Sequence, residues 1–126
     1  MKMFSIFQQP LAKALLLAMA IALMFPASAH ANTAPLTQSE IDRQIKTVPQ
    51  WQQEGQTITR TFEFKNFVEA IAFVDRLVEP AEAAGHHPDL AISYNKVTVS
   101  LTSHDAGGLT AKDFELAQTI SQIGGG

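Results

Sequence analysis

Apolar and polar side chains alternate through residues 57–64, with Ile58, Phe62 and Phe64 on one side and Thr57, Thr59, Thr61 and Glu63 on the other. A period of two predicts a half-buried β-strand, and residues 51–54 are placed to pair with it across Gly55. The period then lengthens. Phe67, Ala70, Ile71, Val74, Leu77, Val78 and Ala81 recur at three- and four-residue spacing, which predicts the main amphipathic helix, capped by Asn66 with Glu69 at its third position. Gly85 is placed to end it in the left-handed region, and Pro80 kinks or restarts it near its last turn. Two further β-rich runs, residues 90–94 and 97–102, flank Asn95 and Lys96. In the second, Val97, Val99 and Leu101 share a buried face while Thr98, Ser100, Thr102 and His104 project from the other.

The first and last helices share one grammar. Thr37 precedes Glu40 by three residues, with Leu36 and Ile41 placed as a hydrophobic staple, and Ile41, Ile45 and Val48 form a narrow stripe that Pro49 ends. Thr110 and Asp113, with Leu109 and Phe114, repeat the arrangement ahead of Ala117, Ile120 and Ile123. The predicted order is α-β-β-α-β-β-α: an α+β fold with a single four-stranded antiparallel sheet and three helices packed on one face.

The 46% hydrophobic share of the 126 residues is concentrated at the start, where all four Met lie. Lys2 and Lys13 give a positive start, residues 14–25 are uncharged and apolar, and Ala27, Ala29 and Ala31 offer small-residue cleavage sites. This pattern predicts a cleavable secretory signal over residues 1–31 and a domain over residues 32–126, periplasmic or secreted. The apolar run is shorter than the roughly 20 residues of a spanning helix, so no stable membrane anchor is expected. A start at Met24 would instead leave a cytoplasmic chain. The body has 7 Lys and Arg against 12 Asp and Glu, a net charge of −5. That balance argues against nucleic acid as a partner. The lack of cysteine excludes a disulfide framework, a thiolate nucleophile and a cysteine zinc site.

Three histidines, His86, His87 and His104, fall within 19 residues of the body. Imidazole is the usual acid or base near neutral pH. His104, on the polar side of its strand and next to Asp105-Ala106-Gly107-Gly108, is not readily a core residue. Glu82 stands four residues before His86, near the negative end of the predicted helix. Asp113 is accounted for as a first-turn acid that stabilises its own helix, and spacing alone gives it no catalytic role. A zinc or copper site made from His86, His87, His104 and Glu82 is a weaker reading, because adjacent histidines on an irregular segment rarely satisfy tetrahedral geometry.

Together, Glu82-Ala83-Ala84-Gly85-His86-His87-Pro88-Asp89, Tyr94-Asn95-Lys96-Val97, Thr102-Ser103-His104-Asp105-Ala106-Gly107-Gly108-Leu109-Thr110 and Asp113 resemble the pterin-4a-carbinolamine dehydratase family. The resemblance extends over residues 36–123, including Trp51 and Phe62-Glu63-Phe64-Lys65-Asn66-Phe67, and several fixed spacings are satisfied together. It implies dehydration of a 4a-hydroxytetrahydropterin to a quinonoid dihydropterin in the recycling of a hydroxylase cofactor, with no metal or organic cofactor. By the same resemblance, His86 and His104 form the acid/base pair and His87 is catalytic and orients the pterin. Pro88, Thr102 and Ser103 help bind it, and Glu82 and Asp113 support the imidazoles.

The implied partners are a small-molecule pterin, a link to aromatic amino-acid hydroxylases, and further copies of the chain in a homodimer or homotetramer, for which residues 90–94 are a candidate edge. Two features depart from the family: Pro80, in the helix that delivers Glu82, and the leader, since members usually serve cytosolic hydroxylases. The rival reading is an exported pterin- or ligand-binding or interaction module that keeps the dehydratase fold; animal members also act as dimerisation cofactors for a transcription factor.

Overall fold

A computed structural model describes residues 34–125; the predicted leader lies outside them. The chain runs α1 (Gln38–Gln44), a 3-10 turn (Ile45–Thr47), β1 (Gln52–Glu54), β2 (Thr57–Glu63), α2 (Phe67–Arg76), α3 (Val78–Ala84), β3 (Asp89–Ser93), β4 (Lys96–Leu101), a second 3-10 turn (His104–Ala106) and α4 (Ala111–Ile123). The strands form one antiparallel sheet in the order β1-β2-β4-β3. This is the predicted α+β architecture, with the α2–α3 pair standing where one central helix is expected.

Register explains which face is covered. Ile58 pairs with Leu101 and Phe62 with Val97, so the inward residues of β2 and β4 lie side by side. They pack with Phe73 of α2, Phe114 and Ile120 of α4, and Ile41 of α1 in a single buried cluster. Phe73 stacks at 4.7 Å from Phe62 and 4.9 Å from Phe64, and Trp51 meets Phe62 edge-on at 6.3 Å. Such pairs contribute about 0.5–1.5 kcal/mol each beyond area burial. The indole N–H of Trp51 donates to Ser121 Oγ at 2.9 Å, tying the entrance of β1 to α4. The opposite face of the sheet is polar, with hydroxyls paired across strands: Thr61 with Thr98 at 2.9 Å and Thr59 with Ser100 at 3.3 Å.

Several local details differ from expectation. The central helix restarts as α3, as Pro80 predicts, but the break falls at Leu77, ahead of its last turn. Pro80 has no N–H for the Arg76 carbonyl and its ring crowds that oxygen, so the interruption falls one turn ahead of the proline. Of the predicted apolar stripe, Ala70, Leu77 and Ala81 are buried, while Phe67, Ile71 and Val78 are exposed; Phe73, outside the predicted stripe, is fully buried. The β3–β4 turn is made by Tyr94 and Asn95, one residue earlier than expected, and Lys96 opens β4. Tyr94 takes a φ of +52°, uncommon for a residue with a Cβ. Asn95 holds the turn by donating from its side chain to the Phe64 carbonyl at 2.7 Å and accepting from the Phe64 N–H at 2.8 Å. Finally, His104 lies beyond the end of β4, in the second 3-10 turn. Among the described residues no helix is long and apolar enough to cross a membrane.

Candidate functional site

Three segments converge on one side of the molecule: the exit of α3, the loop after β4 and the first turn of α4. Gly85, at φ +56°, closes α3 in the left-handed region, and the His86 N–H bonds back to the Ala81 carbonyl at 3.1 Å. That reversal sends the two neighbouring imidazoles different ways. His86 turns inward and retains 12% side-chain exposure, and its Nε2 lies within hydrogen-bond reach of Asp113 Oδ1, at 2.6 Å. His87 turns outward, with Nε2 at 2.7 Å from Glu82 Oε1. Exposures of 63% and 69% make this second pair a surface contact, worth no more than about 1 kcal/mol. Glu82 therefore supports His87, although sequence spacing had set it against His86.

Asp113 is fully buried. Its Oδ2 accepts the Thr110 backbone N–H at 2.8 Å and the Ser103 hydroxyl at 2.9 Å, so that oxygen caps α4 while Oδ1 faces His86. The helix-capping role and the support of an imidazole are held by one side chain, with an oxygen for each. The capping box that Thr-x-x-Asp predicts is present.

The loop between β4 and α4 is pinched at its base. Ser103 and Gly108 exchange two backbone hydrogen bonds of 3.3 Å, and Gly107 at φ +75° turns the chain back. His104 stands on this loop, exposed, and its imidazole has no hydrogen bond or ion pair among the described residues. Thr102 Oγ1 donates to the Gln56 carbonyl at 2.7 Å, anchoring the loop to the β1–β2 turn.

His86, His87, His104, Thr102, Ser103 and Thr110 share a cleft of about 420 Å³ with Gly85, Asp105, Ala106 and Lys112. The three histidines thus come together, with Asp113 buried behind His86; Glu82 touches His87 from outside the lining. Pro88 follows the pair, half-buried, and is not part of the lining. Sequence reasoning missed Asp105 and Lys112 as cleft residues, and no periodicity marks them. Lys112 had one signal, its place beside Asp113 in the first turn of α4. No three metal-ligating side chains are arranged around a common point among the described residues. A concave site with imidazoles, hydroxyls and a lysine can take a flat polar molecule and move protons on it.

Residues 34–123 match the sequence model of a family described as pterin 4 alpha carbinolamine dehydratase. A protein from Picosynechococcus is 62% identical over 88 residues, covering 70% of this chain and 96% of its own length. One from Cyanothece is 64% identical over 88 residues and covered over 91% of its length. Both carry the name pterin-4-alpha-carbinolamine dehydratase, provisionally. Among solved structures, a Brucella melitensis protein described as a transcriptional coactivator/pterin dehydratase superposes with a TM-score of 0.69 at 34% identity, covering 72% of this chain and 99% of that one. A pterin dehydratase-like protein described as a RuBisCO assembly factor in the alpha-carboxysome shares the fold, with a TM-score of 0.51 at 21% identity over 60% of this chain and 87% of its own.

Proposed function

The chain belongs to the pterin 4 alpha carbinolamine dehydratase family, and on that premise we propose that it removes water from a 4a-hydroxytetrahydropterin by histidine acid/base catalysis. One proton goes to the departing hydroxyl and one leaves a ring nitrogen, so that a carbon–nitrogen double bond replaces the carbon–oxygen bond and the products are water and a quinonoid dihydropterin. The observation that carries this reading is the buried Asp113 carboxylate bonded to His86 in a cleft that also holds His87 and His104.

Each of these residues has a part in the proposed reaction. His86, held by Asp113, and His104, free to turn on its loop, exchange protons with the substrate. His87, steadied by Glu82, orients the pterin and takes part in proton exchange. Thr102 and Ser103 line the binding wall, and Pro88, outside the lining, stiffens the backbone that carries the two histidines. A neutral imidazole donates at one nitrogen and accepts at the other, so either histidine serves as acid or base according to which face of the ring carries the hydroxyl.

The reaction calls for no metal or organic cofactor, the pterin being substrate, and it returns the spent cofactor of an aromatic amino-acid hydroxylase. The leader pattern of residues 1–31 supports an exported protein, which N-terminal sequencing from the native host tests. The exposed edge strand β3 supports a homodimer or homotetramer. The decisive assay follows the absorbance of chemically prepared 4a-hydroxytetrahydropterin with the folded chain. Accelerated dehydration is expected. Pterin binding without acceleration would replace this reading with the binding-module one.

A further inference from the structure

The carboxylate behind His86 is held by more than its helix cap. Ser103 Oγ donates to Asp113 Oδ2 at 2.9 Å, and the Thr110 hydroxyl lies 2.9 Å from Ser103 Oγ and 3.4 Å from the same carboxylate oxygen. We infer that Ser103 is a positioning residue: by occupying Oδ2 its hydroxyl keeps Oδ1 aligned on His86 Nε2 and so holds the imidazole in place for the cleft. The inference rests on the dehydratase reading for its catalytic consequence only.

The argument begins with donors and acceptors. The terminal torsion of an aspartate is broad, so its carboxylate plane is set by its partners rather than by its own rotamer. Asp113 is fully buried, which leaves protein groups to set it. Oδ2 receives a backbone N–H and a hydroxyl, both of which only donate to it. Oδ1 is left for His86 Nε2 at 2.6 Å, and a carboxylate oxygen there requires a proton on Nε2. His86 Nδ1 has no hydrogen-bond partner among the described residues, so its lone pair is the one offered to the cleft.

Ser103 is suited to this because its main chain is fixed independently of its side chain. The paired backbone bonds to Gly108 and the bond from the Ala106 N–H at 3.1 Å hold it at the base of the His104 loop. Its side chain thus serves the His86–Asp113 pair and its backbone serves the loop of His104. Ser103→Ala removes the first and spares the second.

Nitrogen-15 NMR of the imidazoles in the full chain, without substrate and above neutral pH, reads the proton position directly. Wild type should show His86 protonated on Nε2. Ser103→Ala should keep the proton on Nε2 but shift its resonance upfield as the bond to Oδ1 weakens, with kcat for a 4a-hydroxytetrahydropterin down about tenfold, the scale of losing an outer hydrogen-bond partner of a functional histidine, and KM within about twofold. Ser103→Thr, which keeps the hydroxyl, should restore both readouts. A wild-type proton on Nδ1 overturns the inference, as does an unshifted Nε2 proton in Ser103→Ala, or a rise in KM at unchanged kcat, which would make Ser103 a substrate contact. If Ser103→Ala does not fold, Ser103→Cys, which has a weaker donor, decides by the same two readouts. A chain that failed to dehydrate the pterin would refute the proposed reaction and leave the tautomer measurement standing.

Discussion

Asp113 and His104 occupy opposite extremes of environment. Asp113 is buried with every oxygen engaged, whereas His104 is exposed on a pinched loop. Asp113→Asn keeps the volume, but the cap and Ser103 both need an acceptor, so the amide oxygen takes the place of Oδ2 and its NH2 faces His86. That group donates, and it forces the His86 proton from Nε2 to Nδ1. Turnover should fall at least about a hundredfold, within the range for a mispositioned acid or base, with melting lowered far less than loss of the side chain would lower it. His104→Ala should lower kcat at least about tenfold with an unchanged circular dichroism spectrum; near wild-type turnover would remove His104 from the reaction. The histidine grouping was legible in the sequence because imidazoles are rare and sat close together. The double use of Asp113 was legible only through the family resemblance, because its first-turn position already had a sufficient local explanation, and nothing in spacing joins it to Ser103 or His86.

Elements with strong local signals formed as their sequences indicate. In α1, the Glu40 carboxylate accepts the Thr37 hydroxyl at 2.7 Å and the Thr37 backbone N–H at 2.8 Å. These two bonds, the hydroxyl first, hold the Glu40 carboxyl below its usual range. A lowered folded value means that the contribution is fully present above the carboxyl's unfolded value and is lost as pH falls through the folded one. The melting-temperature gap between wild type and Glu40→Gln should therefore be constant near neutrality and close below roughly pH 4. A gap independent of pH would show that the box does not stabilise through the charge. Where signals compete, legibility ended. Apolar spacing continues through Leu77, so periodicity alone reads one helix, and the missing proline N–H divides it. The turn at Tyr94 and Asn95 was misplaced by one residue because a tyrosine at positive φ is locally unfavourable; it is Asn95, bonded to Phe64 of a different hairpin, that holds it.

At the scale of the molecule, the sheet covers one face and leaves an edge. Leu90 and Ile92 point to the helix side, opposite Val99 and Val97, but lie beyond the helices and are 39% and 43% exposed. An edge strand with apolar side chains and free backbone groups invites a second strand. Sedimentation should find wild type oligomeric, and Ile92→Lys should weaken self-association at least about thirtyfold, as an interface loss of about 2 kcal/mol would. A monomeric wild type at micromolar concentration would refute assembly through β3. Layer and strand number were legible from alternating periods alone, whereas the central placing of β2 beside β4 was not, because pairing across distant residues leaves no local mark. That pairing has a consequence in time. Thr59 and Ser100 meet across 41 residues, so the middle of the sheet waits for β3 and β4, and such non-local contacts form slowly. The cleft needs one element more, since the carboxylate behind His86 arrives only with α4. A folded sheet without α4 would leave His86 with no carboxylate behind it.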